Sequence, residues 1–254
     1  MQQIFINSNK IIDNRICVEG NDAKHLIKVC RIKIGEEVRV STSSEENYLC
    51  KVSNVEDNQL ELSIVENVPT TELPCRIRLY QAIPKGDRME TIIEKCTELG
   101  VSEIIPVEMK YSVVKLDDKK KAKKTVRYQS IAQSAAKQSK RSVIPRVKQV
   151  MTFEEAIEDS SDSDIIIVPY ENKNGMEATT DALTKLNDNH TISIFIGPEG
   201  GFDSGEIEAL DKLDNSEIIS LGKRILRTDT AAITTVAMVM LEIERAGICH
   251  LEAE

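Results

Sequence analysis

Ile192-Ser193-Ile194-Phe195-Ile196-Gly197-Pro198-Glu199-Gly200-Gly201-Phe202-Asp203-Ser204-Gly205-Glu206 joins an apolar run to a glycine cluster and a helix start. Ile192–Ile196 is a short apolar run of the length expected for a buried parallel strand. Gly197, Gly200 and Gly201 then permit backbone angles and close approaches that side chains forbid. Asp203 with Glu206 three residues later is a capping box, so a helix should follow. Strand, glycine turn and helix together make one unit of an α/β sheet.

Working outward, the same alternation repeats. Ile77–Ala82, Ile104–Val107, Ile165–Val168 and Ile218–Leu221 read as strands. Between and after them, Arg88–Leu99 carries apolar residues at 89, 92, 93, 96 and 99, a helical stripe that stops at Gly100. Lys119–Lys137 reads as a polar, basic helix, and a last helix runs from about Thr230 to Arg245. Strands alternating with helices imply a parallel sheet with helices on its faces. Residues 1–66 differ: Ile4–Ile6, Glu37–Val40, Tyr48–Val52 and Leu60–Val65 are short β segments. One helix, Ala23–Val29, interrupts them, capped by Asn21 or Asp22. The aperiodic segment 67–74 has two prolines and marks the boundary. We therefore expect a small β domain over 1–70 and an α/β domain over 75–254.

The chain's 254 residues include no Trp, and aromatics are 4%, so the core must be aliphatic and stacking platforms scarce. Six cysteines form no C-x-x-C pair, which argues against zinc and against a disulfide framework. They read as reduced, mostly buried thiols of a cytoplasmic protein. The N-terminus lacks the basic and apolar regions of a signal peptide, and Val236–Leu241 is far too short to cross a bilayer. No metal and no membrane partner are expected. Net charge is −9, unevenly spread: residues 110–148 hold 13 basic and 2 acidic side chains, residues 150–254 hold 7 and 22. A basic block on an acidic protein is either an electrostatic footprint for nucleic acid or a solvated lysine-rich helix.

In open parallel sheets, ligands bind beyond the carboxyl ends of the strands. Three segments stand there: Pro169–Asn172, Gly197–Phe202 and Leu221–Arg227. The glycine segment lets main chain read a small polar ligand, or serves only as a tight turn. Ile225 and Leu226 between Arg224 and Arg227 suit an adenine face beside an anionic group, or a subunit interface. The P-loop and dinucleotide signatures are absent, which argues against ATP hydrolysis and ordinary dinucleotide binding.

These residues resemble the bacterial 16S ribosomal RNA (uracil-N3) methyltransferases of the SPOUT superfamily. The likeness rests on Gly197–Phe202, Leu221–Ala231, Lys85–Met89 with Lys95–Val101, Gln138–Arg141 with Pro145, and His25-Leu26 with Lys28–Arg31 and Gly35. It spans nearly the whole chain. Four positions depart from the usual pattern: Asp229 and Lys137 stand where Glu is common, Tyr111 where Arg is common, and Gln2 and Gln3 where an N-terminal Arg is typical.

The resemblance implies a trefoil-knotted parallel sheet flanked by helices, an exception to the rule against knots. It also implies an N-terminal PUA-like β-barrel that helps hold RNA, and a homodimer. The cofactor would be S-adenosyl-L-methionine, held by Tyr170, Gly197, Glu199, Gly200, Leu221, Ile225, Leu226 and Arg227. The partner would be 16S rRNA or the small ribosomal subunit, contacted by Arg31, Lys85, Arg88, Lys137, Lys140 and Arg141. Methylation at uracil N3 needs stabilisation of an imide anion, for which Arg141 or Arg227 is suited, and a proton acceptor, for which Asp229 is a candidate. Helix capping is the other reading of Thr228 and Asp229. His25 reads as structural. A SPOUT-type enzyme acting on tRNA or another rRNA position, or a non-catalytic RNA-binding protein, are the alternatives.

Overall fold

The computed structural model describes residues 1–171 and 175–251, with side chains as far as Arg245. Asn172 and the side chain of Cys249 lie outside what is described. The chain divides into two compact units, Met1–Glu72 with Ala136–Ile144, and Leu73–Ala135 with Pro145–Glu254.

The first unit is a six-stranded sheet built from β1 (Gln2–Ile6), β2 (Ile11–Ile12), β3 (Arg15–Glu19), β4 (Glu37–Thr42), β5 (Asn47–Val55) and β6 (Gln59–Asn67). Its order is β1-β4-β5-β6-β3-β2, with β1 parallel to β4 and the remaining pairs antiparallel. Period-two burial puts Val38, Val40, Cys50, Val52, Leu60 and Leu62 in one core. Leu26 joins them from the helical segment, which starts earlier than expected. It begins as α1 (Gly20–Lys24) and continues as a π-turn over His25–Val29. Neither Asn21 nor Asp22 caps it; the Asp22 carboxylate instead accepts from Lys137 Nζ at 2.7 Å. The hairpin β2–β3 turns on Asp13 and Asn14, both at positive φ (48° and 62°), as a two-residue hairpin turn requires.

The second unit holds β7 (Arg76–Ala82), α2 (Arg88–Glu98), β8 (Glu103–Glu108), α3 (Asp118–Gln138), β9 (Arg146–Val147), β10 (Met151–Thr152) and α4 (Phe153–Asp159). Then follow β11 (Ile165–Pro169), α5 (Glu177–Thr184), β12 (Thr191–Ile196), α6 (Ser204–Asp211), β13 (Ser216–Ile219) and α7 (Thr228–Leu251). The last three residues of α3 belong to the first unit.

All strand pairs here are parallel, in the order β10-β8-β7-β12-β11-β13, with β9 also on β8. Successive residues of one strand enter different cores, which is why these strands read as continuous apolar runs. Leu79, Ile104, Ile167 and Ile194 pack with Ile92 and Ile93 of α2 and with Val236 and Val239 of α7. Tyr80, Ile105, Ile166 and Phe195 pack on the other face with Ala156 of α4 and Leu210 of α6. Tyr80 and Phe195, paired in register, stack with ring centroids 4.5 Å apart.

β13 ends at Ile219, two residues before the expected end, because the Thr179 hydroxyl takes over Ser220. It receives the Ser220 N–H at 3.0 Å and donates to the Ser220 carbonyl at 2.7 Å. From this edge strand the chain returns to the sheet centre, where Thr228 Oγ1 donates to the Gly197 carbonyl at 2.8 Å. The returning segment lines one cleft with Pro169 and Tyr170 at the carboxyl end of β11. No helix among the described residues is long and apolar enough to cross a membrane.

Candidate functional site

The loops after β11, β12 and β13 enclose a cleft of about 450 Å³, within the roughly 300–1,000 Å³ typical of small-molecule sites. Its walls include Tyr170, Gly197, Glu199, Gly200, Leu221, Ile225, Leu226 and Arg227, all eight residues expected at the cofactor. They come from three separate loops and meet because β11, β12 and β13 are neighbours in the sheet.

The glycine loop is closely built. A Cβ at Gly197 would lie 3.1 Å from the Phe202 ring, and one at Gly200 would lie 3.0 Å from the Cβ of Tyr111. Gly201 has φ +74°, and a Cβ there would meet the Glu171 carboxylate at 2.5 Å. Glu171 and Thr228 also line the cleft, although the sequence offers Glu171 only as part of Pro169–Asn172 and Thr228 only as a helix cap. Their neighbours in the loop segments were the available signal.

Two side chains anchor this loop. Glu199 Oε1 accepts from the Lys85 N–H at 3.0 Å and from the Arg88 guanidinium. Burial pushes the Glu199 pKa up, but main-chain N–H groups and Arg88 outweigh it and hold the carboxyl below the ordinary Glu range. Arg88 and Lys85, expected at RNA, thus brace the glycine loop: Arg88 by its side chain, Lys85 by its backbone, with its own side chain exposed. Farther along, Asp203 and Glu206 form the expected capping box. Asp203 Oδ2 also accepts from Lys110 Nζ at 2.9 Å and Tyr111 OH at 3.0 Å. Lys110 first, then Tyr111 and the Gly205 N–H, hold the Asp203 carboxyl below its usual range.

Arg227 is exposed on the cleft wall, and no hydrogen bond or ion pair of its guanidinium occurs among the described residues. Thr228 and Asp229 do open α7, with Asp229 in its first turn, but the Thr228 hydroxyl has other partners. The Thr228 hydroxyl bridges the Gly197 carbonyl and Gln81 Nε2, the latter at 2.9 Å. Asp229 Oδ1 is buried and has no hydrogen-bond partner.

Arg141 is placed otherwise than expected. It lies in the first unit, 4% exposed. Its Nε and Nη2 donate to the Glu72 carboxylate, which also accepts the Ser142 and Val143 N–H groups at 2.8 and 3.1 Å. A desolvated guanidinium in this arrangement anchors the 136–144 segment, and it is not an exposed phosphate contact. Lys137 pairs with Asp22, and Lys140 Nζ donates to the Met1 carbonyl at 2.8 Å. Arg31, at φ +53°, is exposed. About half of the basic block is answered by carboxylates: Lys110, Lys120, Lys121, Arg127, Lys137, Arg141 and Lys148 all sit in ion pairs. No group of His, Cys, Asp and Glu that could hold a metal occurs among the described residues.

Comparison with known proteins gives the family. Residues 71–240 match the model of an RNA methyltransferase domain, and residues 18–65 that of an RNA methyltransferase PUA domain. The chain is 34% identical over 231 residues to the ribosomal RNA small subunit methyltransferase E of Bacillus subtilis, covering 89% of this chain and 90% of that protein. It is 32% identical to the enzyme of the same name from Mesomycoplasma hyopneumoniae, over 92% of this chain and 96% of that one. A crystal structure of the Neisseria gonorrhoeae ribosomal RNA small subunit methyltransferase E, bound to S-adenosyl methionine, matches with TM-score 0.80 and 27% identity. That match covers 95% of this chain and 97% of the other. The chain belongs to the ribosomal RNA small subunit methyltransferase E family, an α/β methyltransferase with an N-terminal PUA domain.

Proposed function

We propose that this enzyme methylates N3 of a uridine in 16S rRNA of the small ribosomal subunit, with S-adenosylmethionine as donor, in the cytoplasm and as a homodimer. The observation that carries the reading is the meeting of three loops in one cleft lined by glycine main chain, apolar side chains and the guanidinium groups of Arg224 and Arg227. The residues fit such a cofactor: Gly197 and Gly200, packed too closely on Phe202 and Tyr111 for a side chain, leave main chain on the wall, while Leu221, Ile225 and Leu226 supply apolar contact. When bound, S-adenosylmethionine supplies an electrophilic sulfonium methyl group. Gly197, Gly200 and Leu221 present main chain, and Arg88 fixes the loop through Glu199. Arg227 is suited to neutralise charge on the uracil carbonyl oxygens as the imide proton leaves. Asp229 stands behind the cleft wall, next to Thr228 which lines it, and its buried, unpartnered Oδ1 is the carboxylate oxygen assigned to accept that proton.

The test is methyl transfer from labelled S-adenosylmethionine to small subunits lacking uracil-N3 methylation, with nucleoside analysis of the RNA. Label in 3-methyluridine supports the reading. Label in another nucleoside would redirect the substrate assignment, and failure to bind the cofactor would leave a non-catalytic RNA-binding protein. In the same assay Arg227→Ala is expected to cost about 10²–10³ in turnover, with an unchanged circular dichroism spectrum. Unaltered turnover would remove Arg227 from the mechanism.

A further inference from the structure

We propose that Tyr111 is the stacking platform for the RNA base presented at the cofactor cleft. The inference rests on the RNA-methylating reading above and adds a substrate-contacting residue to it.

The chain has nine aromatic residues, five Tyr and four Phe. Eight of them are buried or half-buried, whereas Tyr111 is 46% exposed. It is thus the one openly accessible ring, and single-stranded RNA is recognised largely by stacking unpaired bases on such rings. An isolated exposed Tyr would need no explanation. This one is held at both ends against the site. Its Cβ is 3.0 Å from where a side chain at Gly200 would begin, so the ring root rests on the glycine loop that lines the cleft. Its hydroxyl donates to Asp203 Oδ2 at 3.0 Å, and Asp203 is itself fixed by the capping box and by Lys110 Nζ at 2.9 Å. A ring fixed in this way has little rotamer freedom left to lose when a base lands on it. Stacking tolerates any base, so Tyr111 contributes affinity and position and does not select uracil.

The absence of Trp makes a direct test possible, because Y111W would carry the sole tryptophan of the full-length protein. Titrating Y111W with a single-stranded oligouridylate should quench its fluorescence, while an abasic oligomer of equal length and charge should not. Equal quenching by both would mean that phosphate alone is felt, and the platform would be rejected. In parallel, Y111L should raise KM for unmethylated small subunits about tenfold with S-adenosylmethionine affinity unchanged, and Y111F should lose far less. An unchanged KM in Y111L would overturn the proposal. If the wild-type protein transferred no methyl group, the methylation reading would fail by itself, and the fluorescence comparison would still decide whether Tyr111 stacks bases.

Discussion

Thr228 shows how much one side chain can hold at this site. Its hydroxyl donates to the Gly197 carbonyl and accepts from Gln81, whose Oε1 is already without a partner. Thr228→Val keeps the shape but takes one donor from the half-buried Gly197 carbonyl and leaves Gln81 Nε2 with only the Ala82 carbonyl, at about 1–3 kcal/mol. For a chain of this size each kcal/mol lowers Tm by about 2–4 °C. Thr228→Ser should stay near the wild type, and equal melting of both variants would show that the bridge contributes nothing. Glu199 gives a pH signature. Its folded pKa is depressed, so its contribution is complete above the ordinary Glu range near ~4.3 and is lost as pH falls through the lower folded value. The acid limb of the stability profile should therefore flatten in Glu199→Gln, as measured by thermal melts at stepped pH. An unchanged acid limb would show that Glu199 contributes nothing to it. The cleft residues were legible because Gly197–Phe202 and Leu221–Arg227 are contiguous motifs. The fate of Arg141 was not, since its partner Glu72 is 69 positions away.

At the scale of elements, local chemistry carried the reading well. The stripe of α2 and its stop at Gly100, where φ is +97°, were plain in sequence. So was the Asp203–Glu206 box. α4 was missed despite an equivalent signal, the capping box of Thr152 and Glu155. β9 and β10 have two residues each, too few for any period to show. The basic helix α3 is where pattern misled most: charge composition does not reveal which lysines are already paired. Lys121 is half-buried on Glu108 at 2.7 Å, whereas Lys119 and Lys123 are exposed with no ion pair among the described residues. K119Q/K123Q should therefore reduce the salt dependence of binding to single-stranded rRNA fragments, by about 0.7 in log–log slope per lost phosphate contact. K121Q should instead lower Tm and leave the slope near that of the wild type. A slope insensitive to Lys119 and Lys123 would remove that face of α3 from the RNA contact.

On the scale of the whole molecule, the sequence divides at residues 67–74, yet the first compact unit is not one continuous segment. It recruits Ala136–Ile144 from far along the chain. The recruitment is made by polar groups. Glu72 takes Arg141 and two main-chain N–H groups, Gln3 Nε2 donates to the Arg141 carbonyl, Thr71 N–H donates to Ser142 Oγ at 3.0 Å, and Lys137 pairs with Asp22. A fragment of residues 1–72 alone would expose the Glu72 carboxylate and the Gln3 amide to water and uncover what the segment packs on. Small domains have little stability to lose, so that fragment should melt well below the same fragment joined by a flexible linker to residues 136–144. In the joined fragment, Arg141→Ala should return melting to that of the short one, because breaking a buried ion pair costs about 3–5 kcal/mol. Identical melting of the short and joined fragments would mean that the segment is a passenger. A stable joined fragment would show that three residues of α3 and the loop behind it fold as part of the N-terminal unit.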